Sequence, residues 1–191
     1  MRLTGIEDPV KVVDSINRSE WKLTKVVEAV TVFLKFVGKV SIKVTKPINL
    51  DEFFSGRDGL RIDGDFKELF VATDATFTPK EYFLTKYIIT KDALDSEART
   101  ELPPDHVFEA EDFSLLLATM LYRQWEGTSG YLITNGYANV FYVRSKNKKK
   151  IFIVYVFYGS VGWSSVDKTW NVSLWSLNDN WWRAENVFFF P

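Results

Sequence analysis

The chain has no cysteine and one histidine, His106. The first absence excludes disulfide frameworks, thiolate metal centres and cysteine nucleophiles together. With a single histidine, a serine-hydrolase triad, an imidazole metal site and a histidine acid–base step would all compete for the same side chain. No G-x-S-x-G elbow accompanies it, since GTSG and GSVG lack the spacing. G-x-G-x-x-G and Walker phosphate loops are also missing, so no cofactor is implied. Charge of one sign does not dominate: 24 basic against 25 acidic residues favour neither nucleic acid, nor an anionic membrane, nor a strongly acidic partner. Long apolar runs are lacking too, because Lys22, Lys25, Glu28, Lys35 and Lys39 break the most hydrophobic N-terminal segment well short of the ~18 residues of a membrane span. Glu7 and Asp8 fall where a secretory signal needs unbroken apolar sequence, which gives the expectation of a cytoplasmic protein.

Apolar material, by contrast, is plentiful. With 46% hydrophobic and 16% aromatic residues over 191 positions, the chain can bury a core without disulfide or metal staples. A single α+β domain over 1–191 is expected, helix-rich to about 128 and a β-meander from about 130, with the N-terminal and central helices packed on a C-terminal antiparallel sheet. Asp8-Pro9 caps a short helix ending near Asn17. Ser19 caps a second, in which Leu23, Val26, Val27, Val30, Phe33, Leu34 and Val37 share one face and Gly38 is the stop, although the β-branched content of the segment argues for a strand instead. Val40, Ile42 and Val44 then alternate as a strand ended by Pro47.

Residues 48–108 are harder to read. KELFVAT and EYFLTKYIIT have strand composition, although Thr78-Pro79-Lys80-Glu81 is also a capping-box start for a short helix, and DALDSEARTELPPD reads as an exposed loop or short helix. Phe113, Leu116, Leu117, Met120 and Leu121 predict a helix over 111–125 with Gly127 beyond it. Asn135-Gly136 predicts a hairpin, RSKNKKK a second turn before IFIVYVFY, and Asn178-Asp179-Asn180 a third after TWNVSLWSL, with NVFFF as the last strand.

Four of the seven tryptophans lie in the closing stretch WNVSLWSLNDNWWRAENVFFFP. Trp170, Val172 and Leu174 alternate with Asn171, Ser173 and Trp175, so Trp170 is expected inside and Trp175 on a more polar face. Trp181 and Trp182 are adjacent and cannot share a face of an extended segment. Most of this cluster reads as core, and Trp163, Trp175, Trp181 or Trp182, with Arg183, are the candidates for an exposed binding patch.

Other groups carry weaker chemistry. His106 has Asp105, Glu109, Glu111 and Asp112 nearby, a set that could hold a divalent cation, although carboxylates at a helix start also complement its dipole. Asp63, Asp65 and Lys67 have the acidic-x-Lys form of metal-dependent nucleases, but Asp-Gly pairs are first of all turn formers. Arg144, Lys146, Lys148, Lys149 and Lys150 form a basic tip that reads as a solubilising turn.

The sequence therefore predicts a non-catalytic binding or interaction module, its partner a protein, with no nucleic acid and no membrane involved. Tryptophan and arginine side chains anchor interfaces of this kind. The pattern leaves room for self-association. A carbohydrate or other flat ligand on the same rings is the first alternative, and a divalent-metal-dependent hydrolase or nuclease using His106, Glu109 and Glu111, or Asp63, Asp65 and Lys67, is the second.

Overall fold

Period-two alternation governs more of the described chain than helical spacing does. The computed structural model describes residues 33–55, 58–71, 77–160, 168–177 and 180–191. Both N-terminal helices as far as residue 32, Trp163 and the turn at Asn178-Asp179 lie outside the described residues. Eight strands form one mixed sheet: β1 (Leu34–Val44), β2 (Leu60–Ile62), β3 (Lys80–Ile89), β5 (Val107–Glu109), β6 (Asn139–Arg144), β7 (Ile151–Gly159), β8 (Thr169–Ser176) and β10 (Val187–Phe190). Their order is β1-β3-β10-β6-β7-β8-β2, with β5 also beside β6. β4 (Ala93–Leu94) and β9 (Trp181–Trp182) pair as a separate ribbon. The helices are α1 (Leu50–Phe53), α2 (Phe66–Phe70), α3 (Asp95–Arg99) and α4 (Ala110–Arg123). No described helix is long and apolar enough to cross a membrane.

This architecture corrects the expected helices packed on a C-terminal meander. β6, β7 and β8 do run antiparallel in succession, the first two joined at the predicted RSKNKKK turn, where Ser145 N bonds Lys150 O and Lys148 takes a positive φ. The last strand, however, does not extend the series. β10 inserts between β3, antiparallel, and β6, parallel, and all four of its residues are buried. A strand apolar on both faces is most stable where both faces are covered, and a central position supplies that. The three terminal phenylalanines are therefore core.

Three local expectations fail for identifiable reasons. Residues Leu34–Val37 belong to β1 and not to a helix capped at Gly38; ladder pairing with β3 along the whole strand outweighs the accidental three-and-four spacing. A bulge between Phe36 and Gly38 shifts the phase, so Leu34 packs in one core and Ile42 in the other although both are even-numbered. KELF is helical, with Phe66 and Phe70 buried one turn apart. The Asn135-Gly136 hairpin does not form either. Residues before β6 satisfy their backbone through side chains: Gln124 brackets Leu132 (2.8 and 3.1 Å), and the Asn139 side chain bonds Ile133 N and O (2.8 and 3.0 Å). Two buried amides thus take the place of a partner strand.

Helix α4 starts and stops close to where its pattern indicates, and Phe113, Leu116, Leu117, Met120 and Leu121 are all fully buried. Gly127 follows with φ +66, and a side chain there would collide with the Tyr158 ring, 2.1 Å from a Cβ position. On α4's side of the sheet Phe54, Phe66, Phe70, Phe141, Phe189 and Trp170 join it in the larger core. The opposite side holds a smaller one around Tyr142, Ile153, Trp182, Phe188 and Phe190.

Candidate functional site

The described residues cover the second face of the sheet over only part of its area. Along β7, Ile151, Ile153, Tyr155 and Phe157 point to this side. Register with β8 sets Trp175 opposite Ile153, Ser173 opposite Tyr155 and Asn171 opposite Phe157. Small polar partners leave the two rings of β7 uncovered, and both are only half-buried. These rings are parallel, 7° between planes with centroids 6.3 Å apart, and Trp175 leans on Tyr155 at 4.3 Å.

The ribbon β4–β9 closes the neighbouring part of the face, pairing Ala93 with Trp182 and Leu94 with Trp181. Adjacent positions in an extended segment point oppositely. Trp182 accordingly turns inward, 1% exposed, and packs on Trp175 and Phe188, while Trp181 turns outward at 59% exposure.

Beneath the ribbon is Asp95, fully buried at the start of α3. Its Oδ1 accepts from the Tyr142 hydroxyl and from Trp182 Nε1 (2.9 Å), and Arg99 Nε lies 2.7 Å from its Oδ2. Burial, then the Asp95 charge and the hydrogen bond to it, push the Tyr142 hydroxyl far above its ordinary pKa. A buried charge held this way anchors Trp182, and through it the floor beside Trp175.

A cleft of about 490 Å³ results. Tyr137, Tyr155, Phe157, Trp175, Trp181 and Arg183 line it, with Trp182 at its base and Asn135 and Asn186 at its edge. Among the described residues lining it, Arg183 is the only charged one. Four of the five residues picked out in the sequence therefore meet in one place, though Trp182 is buried support rather than exposed surface; Trp163 lies outside the described residues. Tyr155, Phe157, Tyr137 and Asn186 were not singled out. The alternation in IFIVYVFY marked Tyr155 and Phe157 as sharing a face, but only the register against Ser173 and Asn171 leaves them open.

The remaining candidates are dispersed. His106 Nδ1 lies 2.7 Å from Pro103 O, and its ring stands edge-on to Tyr142 and Phe190. Glu109 pairs with Arg144, and Asp112 with Lys80 and the Tyr82 hydroxyl. Lys67 pairs with Asp51 and Ser55, while Asp63 receives the amide of Leu174 at 3.4 Å. Among the described residues no three His, Asp or Glu side chains stand together as metal ligands would. A second groove, about 690 Å³, runs beside Lys43, Lys46, Tyr122 and Arg123. Its arginine is already committed to Tyr131 Oη and Lys43 O (both 2.7 Å), and Lys43 lies 3.9 Å from Glu81.

Comparison of the chain with known protein families, with curated proteins and with solved structures returns no match.

Proposed function

We propose that the protein is a non-catalytic binding module whose contact surface is the aromatic cleft between β7, β8 and β9, and that its ligand is a segment of another protein. The observation that carries this reading is the pairing of an exposed tryptophan, Trp181, with a buried one, Trp182, on a ribbon tied down by Asp95. A wet indole on a rigid base has little conformational entropy to lose on binding, which is what makes such residues anchors. Arg183 adds one charge at the rim. Stacking of a sugar ring is the second reading, because the Tyr155 and Phe157 planes are parallel to within 7°. We place the protein in the cytoplasm, which fractionation of native cells would test.

The test is calorimetric titration of the wild type and Trp181→Ala against a panel of blocked peptides and oligosaccharides. At least one probe should bind the wild type and lose about 2 kcal/mol in the variant, with the thermal midpoint unchanged. Binding that is indifferent to Trp181→Ala throughout the panel would sink the assignment.

A further inference from the structure

The polar groups of the cleft are unequal in kind. Four of its acceptors are already engaged: Asn186 Oδ1 takes Ala138 N at 2.9 Å, Asn135 Oδ1 takes Tyr137 N at 3.3 Å, Ala138 O takes Val187 N at 2.9 Å and Arg183 O takes Asn186 N at 3.3 Å. Among the described residues no carboxylate lines the site. Among the described residues, no side-chain hydrogen bond is made by Trp175, Trp181, Arg183, Tyr137 or Tyr155. Indole and guanidinium nitrogens only donate, and a phenol can donate or accept. The cleft thus offers flat apolar faces and an excess of donors.

A ligand suited to it is rich in acceptors, poor in donors and apolar between them. A sugar fits less well, since each of its hydroxyls brings a donor along with an acceptor. A run of prolines fits on every count: each residue has a carbonyl and no N–H, and the polyproline II helix keeps those carbonyls free of internal bonds. Being extended before it binds, such a segment loses little entropy.

We propose that the cleft takes a proline-rich segment of a partner protein in the polyproline II conformation, with an acidic residue flanking the prolines set against Arg183. The proposal rests on the binding reading above and names the chemistry of its ligand.

The experiment is calorimetric titration of the full chain with a blocked decaproline peptide, the same peptide with one terminal glutamate, a blocked alanine-glycine decapeptide and cellohexaose. Decaproline should bind, and Trp181→Ala should weaken it by about 10-fold or more. The glutamate should tighten binding by about 3-fold or more at low salt, a gain abolished by Arg183→Ala. Both substitutions are at exposed positions, so a retained melting transition certifies the fold. Absent decaproline binding, or binding insensitive to Trp181→Ala, overturns the proposal. If the alanine-glycine peptide binds in a Trp181-dependent way instead, the cleft remains a peptide-binding site and only the proline assignment falls; if cellohexaose does, the cleft remains a binding site but the sugar reading replaces the protein-segment one. If no probe does, both readings fall.

Discussion

Trp170 and Trp175 lie five residues apart on the same strand and meet opposite fates. On the side covered by α4, Trp170 is fully buried, packs on Tyr158 and donates its indole N–H to Gln124 O at 2.8 Å. On the other side, Trp175 is half-buried, leaning on Tyr155 and Trp182 with no hydrogen bond from its indole to a described residue. Pleat alternation separates the two faces but does not say how each is finished. Among the described residues, a helix of 14 residues closes the first, whereas a two-residue ribbon and a five-residue helix close only part of the second. The role of a tryptophan here follows from what covers its face.

The largest effect should come from deleting the covered ring. Trp170→Ala is expected to cost about 3–5 kcal/mol through lost burial and a cavity, measured by chemical denaturation. A loss near 1 kcal/mol would mean that the α4 face is less closed than described. Next comes the anchor of the ribbon: Asp95→Ala strands the Tyr142 hydroxyl and Trp182 N–H in the interior and should cost about 3 kcal/mol, with Asp95→Asn costing less because an acceptor remains. The same cluster sets an alkaline limit. The folded-state pKa of Tyr142 lies above the unfolded value of about 10, so its contribution is complete below roughly pH 10 and is lost as pH rises toward the folded value. Tyr82, raised by burial and by Asp112, acts in the same direction. Stability should fall above pH 10, and Tyr142→Phe should make that fall shallower by about 1.4 kcal/mol per pH unit; an unchanged slope would show that Tyr142 ionises freely.

Smaller effects test the open face. Trp175→Ala should cost about 1–2 kcal/mol, as a half-buried ring would, and Trp181→Ala less than about 0.5 kcal/mol, while both weaken ligand binding. Equal destabilisation by the two would erase the distinction between support and contact. Smallest of all, replacing Lys148, Lys149 and Lys150 by serine should leave stability within about 0.5 kcal/mol. All three are exposed on the β6–β7 turn, and loss of a salt-sensitive nucleic-acid complex on that change would give the turn a role it is not assigned here.

Local pattern determined the elements whose partners are near in sequence or whose periodicity is long. Helix α4, the β6–β7 hairpin, the inward phase of Trp170 and the opposed faces of Trp181 and Trp182 all follow from spacing, because a 3.6-residue or two-residue period fixes which side chains share a side wherever the backbone ends up. Tertiary structure alone decided the rest. Nothing in NVFFF says that it enters between β3 and β6, since parallel and antiparallel neighbours present the same apolar demand. Nothing in YLITNG says that Gln124 and Asn139 will satisfy the backbone that a second hairpin strand would have paired. The cleft is of the same kind: Tyr155 and Phe157 are open because register, which involves two strands at once, set Ser173 and Asn171 beside them.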